Sequence, residues 1–258
     1  MLLEINNLSV RYGDNPSSLH DFALCLADGE ILGLVGESGC GKSTVIRSIL
    51  GTLPETARIE SGEILFDGKD LLRNSRKQWR SLRGSRISMI FQDCGSMMNP
   101  VVKIGRQFVQ FIKTHRPDMG KKEARELAKE MLASMRLSNP GHIMDGYPFE
   151  LSGGMRQRVG IAMAMTFHPR ILLADEPTSA LDVTTQTQIV RQMMDLRDGF
   201  GTSIIIVTHN FGVAAYMTDR LMVMRQGLVV EEGESSAIVE RPAHEYTQSL
   251  IGAIPQIG

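Results

Sequence analysis

An α/β fold built on a mostly parallel sheet is what this sequence predicts, and three observations predict it. Short, continuously apolar runs recur at residues 31–35, 171–174 and 203–207, as in strands covered on both faces. Between the last two, Ile189, Met193 and Leu196 keep a helical period. The first run breaks into glycine before residues 42–50, which read as a helix stopped near Gly51 and Pro54. Strand, helix and strand in alternation mean parallel layering.

The remaining elements follow in order. Residues 2–10 mix Leu, Ile and Val with polar side chains and predict a strand. Residues 62–66 predict another, turned by Asp67-Gly68. From 104 to 137 the pattern is helical, with Ala124, Leu127, Ala128, Met131, Leu132 and Met135 on one stripe. A Pro/Gly-rich piece, residues 139–148, then punctuates the chain, so the middle predicts a helical lobe set into the α/β core. Residues 221–224 and 228–230, joined through Gln226-Gly227, predict a late hairpin. The expected organisation is 1–92 as core with an N-terminal antiparallel β part, 93–155 as the helical subdomain, 156–232 as the rest of the core, and 233–258 as a tail.

Composition excludes several classes. Lys plus Arg is 28 and Asp plus Glu is 29, a balance that argues against a strongly basic nucleic-acid binder. Cys25, Cys40 and Cys94 are scattered and odd in number, which predicts neither a disulfide framework nor a zinc site but a reducing, cytosolic home. No apolar stretch approaches the roughly 20 residues of a spanning helix, and the first ten residues lack a signal peptide's basic flank.

The strongest chemical signal is Gly36-Glu37-Ser38-Gly39-Cys40-Gly41-Lys42-Ser43, followed by Thr44, a Gly-x4-Gly-Lys-Ser loop between strand and helix. Its glycines can turn several N–H groups inward as an anion-binding nest, and the helix adds its positive end. Lys42 can reach β- and γ-phosphates, and the Ser43 hydroxyl can ligate Mg²⁺. The run 171–174 ends in Asp175-Glu176, where Asp175 suits Mg²⁺ and Glu176 an attacking water. Alone, such a pair is equally a strand end capped by solvated acids. Leu151-Ser152-Gly153-Gly154-Met155 precedes a helical run, so Ser152 and the glycines form a second phosphate-ready helix end or an ordinary cap.

Taken together, these elements resemble the ATP-binding subunit of an ABC transporter, in that family's order over almost the whole chain. The resemblance implies a P-loop NTPase core with ATP and Mg²⁺ as ligands. It implies roles for Gln92, in a glutamine loop touching Mg²⁺, for Ser179-Ala180-Leu181-Asp182, against a partner subunit, for His209, at the γ-phosphate, and for Tyr12, stacked on adenine. Read singly, Tyr12 is more often a half-buried strand tyrosine and His209 more often a structural histidine; it is their joint order in the sequence that favours the nucleotide roles. Three positions depart from the family's habit: Met155 for glutamine, Cys94 for proline and Asn210 for aspartate.

The chain reads as nucleotide-binding domain throughout, which implies an importer built from separate subunits. The tail Pro242-Ala243-His244-Glu245-Tyr246-Thr247, running on to Ala253-Ile254-Pro255, resembles that of peptide and nickel importer ATPases. The implied partners are a second ATP-binding subunit (a paralogue or a second copy), transmembrane permease subunits and, indirectly, an extracytoplasmic binding protein, with no nucleic acid. The implied place is the cytoplasmic face of the membrane. With no cysteine after Cys94, the tail is expected to carry no iron–sulfur cluster. A DNA- or ribosome-acting relative would bring a coiled-coil insertion, zinc cysteines or a second nucleotide domain; a decayed regulatory module would lack Lys42, Asp175, Glu176 or His209.

Overall fold

The computed structural model describes residues 1–13, 18–179 and 181–253. Along the chain run β1 (Leu3–Tyr12), β2 (Leu19–Leu26), β3 (Ile31–Val35), α1 (Lys42–Leu50), β4 (Ala57–Phe66), β5 (Lys69–Asp70) and α2 (Arg76–Leu82). Then come β6 (Ile87–Ile90), α3 (Cys94–Met97), α4 (Ile104–His115), α5 (Lys121–Ser134), α6 (Pro140–Asp145), α7 (Gly153–Met165) and β7 (Ile171–Asp175). The remainder is α8 (Val183–Phe200), β8 (Ser203–Thr208), α9 (Phe211–Met217), β9 (Arg220–Arg225), β10 (Leu228–Glu234), α10 (Ser235–Glu240) and α11 (Glu245–Gly252). Residues cluster into two units, 1–80 with 201–258, and 81–200.

In the first unit, β1 lies between β2 and β4, both antiparallel to it, with β5 beyond β4. The Asp67-Gly68 turn has both residues at positive φ, 48° and 70°, the twist a tight hairpin requires. A second sheet centres on β3, every residue of which is buried, with β8 on one side and β9 on the other, both parallel to it. Gly33 is in β3 because a Cβ there would stand 2.5 Å from Leu221 Cδ2. Strand β10 turns back antiparallel along β9 through Gln226 and Gly227, at φ 50° and 81°. Val35, Phe211, Ala214, Leu221, Val223, Ile238 and Tyr246 share one apolar cluster, which draws the tail onto the end of β3.

In the second unit, β6 and β7 pair in parallel and helices α3 to α8 supply the rest. The apolar stripe predicted from Ala124 onward is real: Ala124, Ala128, Met131 and Leu132 are buried in α5, and Met135 follows at its end. The continuous helical pattern over 104–137, however, is two helices. Arg116 takes φ −127° and ψ 73° at the end of α4, because a residue before proline is pushed out of the helical region, and Pro117 follows.

Candidate functional site

The loop after β3 is shaped by its glycines. Gly36, Gly39 and Gly41 have φ of 152°, 82° and 109°, a region open mainly to glycine. A Cβ would stand 2.2 Å from the Met224 carbonyl oxygen at Gly36 and 2.7 Å from that of Ser18 at Gly41. Lys42 begins α1 and is buried. Its Nζ donates to the carbonyls of Gly36 and Glu37, each at 2.7 Å, and lies 3.5 Å from Cys40 Sγ. The ammonium is thus held inside the loop by the loop's own backbone. Glu37, Ser38, Gly39 and Ser43 are exposed, while Thr44 is buried and its Oγ1 shares a hydrogen bond with the Tyr12 hydroxyl at 3.3 Å. In the same unit, His209 is exposed just past β8. Asn210 caps α9, its Oδ1 accepting from Val213 N–H at 3.1 Å; this cap needs only an acceptor oxygen, so the change from aspartate keeps it.

The second unit carries the acidic pair. Asp175 closes β7 and Glu176 follows at φ 45°, a left-handed conformation that costs a non-glycine residue about 1–2 kcal/mol. The Ser179 N–H and hydroxyl both donate to the Glu176 carbonyl, each at 3.2 Å, and hold that turn. The Gln92 amide Nε2 donates to the Glu176 carboxylate at 3.4 Å. Behind them sits Gln157, which the sequence reading passed over. It is 4% exposed; its Nε2 donates to the carbonyls of Phe91 (3.1 Å) and Pro177 (2.9 Å), and its Oε1 accepts from Cys94 N–H at 3.2 Å. One buried amide therefore fixes the backbone beside Gln92 and the backbone just after Glu176. Proline in place of Cys94 would remove one of these donors. The visible signal was a glutamine on a helix face whose neighbours Ile161, Ala164 and Met165 are core.

Ser152 caps α7, its Oγ accepting from Met155 N–H at 3.3 Å. That donor is backbone, so the methionine side chain leaves the cap intact. Gly154 is held tightly: a Cβ there would lie 2.6 Å from Thr185 Cγ2. Thr185 in turn donates its N–H and hydroxyl to Asp182, at 2.9 and 2.7 Å, and these bonds, the backbone one foremost, hold the Asp182 carboxyl below its ordinary range. Of the loop Ser179-Ala180-Leu181-Asp182, Ala180 lies outside the described residues, as do Ile254 and Pro255 of the tail.

The predicted residues thus fall into groups that are assembled within each unit. Lys42 meets Gly36, Glu37 and Cys40, and Tyr12 meets Thr44, in the first; Gln92 meets Glu176 in the second, which also carries Asp175 and residues 152–154. Among the described residues, no cluster of three or more His, Cys, Asp or Glu is arranged to hold a metal. Each by its own chemistry, the oxygens of Ser43 in the first unit and of Gln92 and Asp175 in the second are hard donors of the kind Mg²⁺ takes. No helix of the described residues is long and apolar enough to cross a membrane.

Comparison with known proteins adds the following. The profile of the family described as ABC transporter matches residues 19–179. A probable peptide ABC transporter ATP-binding protein, y4tR of Sinorhizobium fredii, is 43% identical over 99% of this chain and 77% of its own length. The dipeptide transport ATP-binding protein DppD of Bacillus subtilis is 42% identical, with the same coverages. Among solved structures, the dimeric, post-hydrolysis ATP-binding cassette MJ0796 bound to ADP and phosphate superposes with a TM-score of 0.79 at 27% identity, covering 90% of this chain and 98% of that one.

Proposed function

The chain belongs to the ABC transporter family, as an ATP-hydrolysing subunit of its peptide-importer branch, and from that membership we propose that it drives uptake of di- or oligopeptides through separate membrane subunits. The names of its relatives favour peptide over nickel or a metal chelate. The observation that carries the reading is the glycine loop closed around Lys42, whose ammonium the Gly36 and Glu37 carbonyls hold at 2.7 Å.

In this reading, the loop from Gly36 to Thr44 binds the ATP phosphates. Lys42 offsets charge on the β- and γ-phosphates, and Tyr12 stacks on adenine. Ser43, Gln92 and Asp175 would hold Mg²⁺, which when bound neutralises phosphate charge. Glu176 orients and polarises the attacking water, with its carboxylate steadied by Gln92, and His209 contacts the γ-phosphate. Ser152, Gly153 and Gly154, at the positive end of α7, serve the nucleotide held by a second ATP-binding subunit, either a paralogue or another copy. ATP then stabilises a closed pair because only that state makes both sets of contacts. Hydrolysis removes the bridge and reopens it. The helical subdomain, residues 93–155 beside Gln92, passes the motion to the permease subunits, so the chain works at the cytoplasmic face of the membrane.

The test is Glu176→Gln. It keeps the shape and the donor from Gln92 but removes the carboxylate charge. ATP binding is expected to survive, turnover to fall by about 10²–10⁴, and the closed pair to accumulate with ATP in gel filtration. Near-normal turnover would remove Glu176 from the catalytic role.

A further inference from the structure

The tail reaches the phosphate loop. Glu37 N–H donates to the Tyr246 hydroxyl at 3.0 Å, across 209 residues of sequence. That N–H belongs to the peptide unit whose carbonyl is Gly36 O, and Gly36 O is the atom that accepts from Lys42 Nζ at 2.7 Å. In a trans peptide the carbonyl and the N–H point opposite ways. One peptide plane is therefore gripped from both sides, by Lys42 on its carbonyl and by Tyr246 on its N–H. Rotating it would break both bonds at once. Gly36, at φ 152°, has no side chain to fix that rotation from within.

Tyr246 is itself well anchored. Its ring shares the apolar cluster with Val35, the residue just before Gly36, and the Arg225 guanidinium lies 5.0 Å above it. Its own N–H donates to His244 Nδ1 at 3.1 Å. One turn back, the Glu231 carboxylate accepts from the N–H groups of Ala243 (2.7 Å) and His244 (3.1 Å), which ties the tail to β10. Burial pushes the Tyr246 phenol above its ordinary range, so the hydroxyl stays protonated across working pH.

We propose that Tyr246 is a positioning residue for ATP binding: its hydroxyl sets the Gly36–Glu37 peptide so that the Gly36 carbonyl faces Lys42 and the lysine stands ready for phosphate. This gives the tail a task at the nucleotide, and it rests on the reading that the loop binds ATP.

The experiment compares wild type, Tyr246→Phe and Lys42→Ala as full chains, titrated with Mg-ATP by calorimetry and assayed for KM and kcat. Phenylalanine keeps the ring, its packing and the arginine contact, and removes only the acceptor. One neutral hydrogen bond predicts about a 3- to 10-fold weaker ATP affinity and a matching rise in KM, with kcat within about twofold. Lys42→Ala should abolish binding. A merely structural tyrosine would shift the melting temperature and leave affinity alone. If Tyr246→Phe binds ATP as tightly as wild type while Lys42→Ala does not bind, the role of Tyr246 is overturned and the functional reading stands. If wild type itself binds no ATP, both fall.

Discussion

The Gln92 side-chain amide donates to the Glu176 carboxylate at 3.4 Å, although 84 residues lie between them. At that length the bond is weak, yet it acts on the one acidic residue of the pair whose backbone is strained, at φ 45°. The contact makes Gln92 a partner of the carboxylate as well as a candidate ligand for Mg²⁺. The two roles predict different mutational arithmetic.

If Gln92 works through Glu176, their substitutions overlap. Gln92→Ala is expected to lower turnover by about tenfold or more, within the range that orientation of a base supplies. The double variant with Glu176→Gln should then turn over no more slowly than Glu176→Gln alone. Contacting residues of one network lose additivity in this way. Single-turnover hydrolysis of the four proteins checks it, and fully multiplicative losses would separate the two residues.

Gln157 predicts a larger effect on stability. Gln157→Leu preserves volume but leaves the carbonyls of Phe91 and Pro177 and the N–H of Cys94 without their present partner. Each buried polar group stranded in this way costs about 1–3 kcal/mol. Urea unfolding should show a loss at or above that range. Turnover per folded molecule should fall too, because the same amide sets the turns that carry Gln92 and Glu176. A stable variant with unaltered turnover would make Gln157 dispensable to both.

What the sequence made legible is what local chemistry dictates. The loop at 36–43 could be read because its glycine conformations leave few other residues possible, and the strands β3, β7 and β8 because continuous apolar runs need cover on both faces. Strand β2 escaped notice: its alternation is interrupted at Asp21, at φ 43°, and its pairing with β1 shifts register between Leu8 and Val10. Strand β6 is four residues with a buried serine, Ser88, among them, too short to show a period. The break between α4 and α5 was written in Pro117, but apolar residues keep helical spacing on both sides of it, Phe108 and Ile112 before, Ala124 and Ala128 after, and hide it. Gln157 and Tyr246 were illegible for another reason. Their partners stand 66 and 209 residues away, and no local pattern encodes a long-range hydrogen bond.

Cys94 gives the last prediction, which concerns pH. Burial pushes its thiol up to about 11, with the nearby Asp93 charge adding to the rise. In the unfolded chain the thiol ionises near 9, so above that pH the unfolded state holds fewer protons than the folded one. Stability then falls as pH climbs. The contribution is whole below about pH 9 and gone by about pH 11, amounting to roughly 2–3 kcal/mol for a shift of this size. Cys94→Ala removes the titrating group while keeping the Cβ that Gly160 leaves room for; a Cβ on Gly160 would stand 2.4 Å from it. Urea unfolding at pH 8 and pH 10.5 should therefore show a steeper decline for wild type than for the variant. The deletion lowers the variant's absolute stability at both pH values, so the comparison is of slopes. Equal slopes would mean that the folded protein lets this thiol ionise as freely as the unfolded chain does.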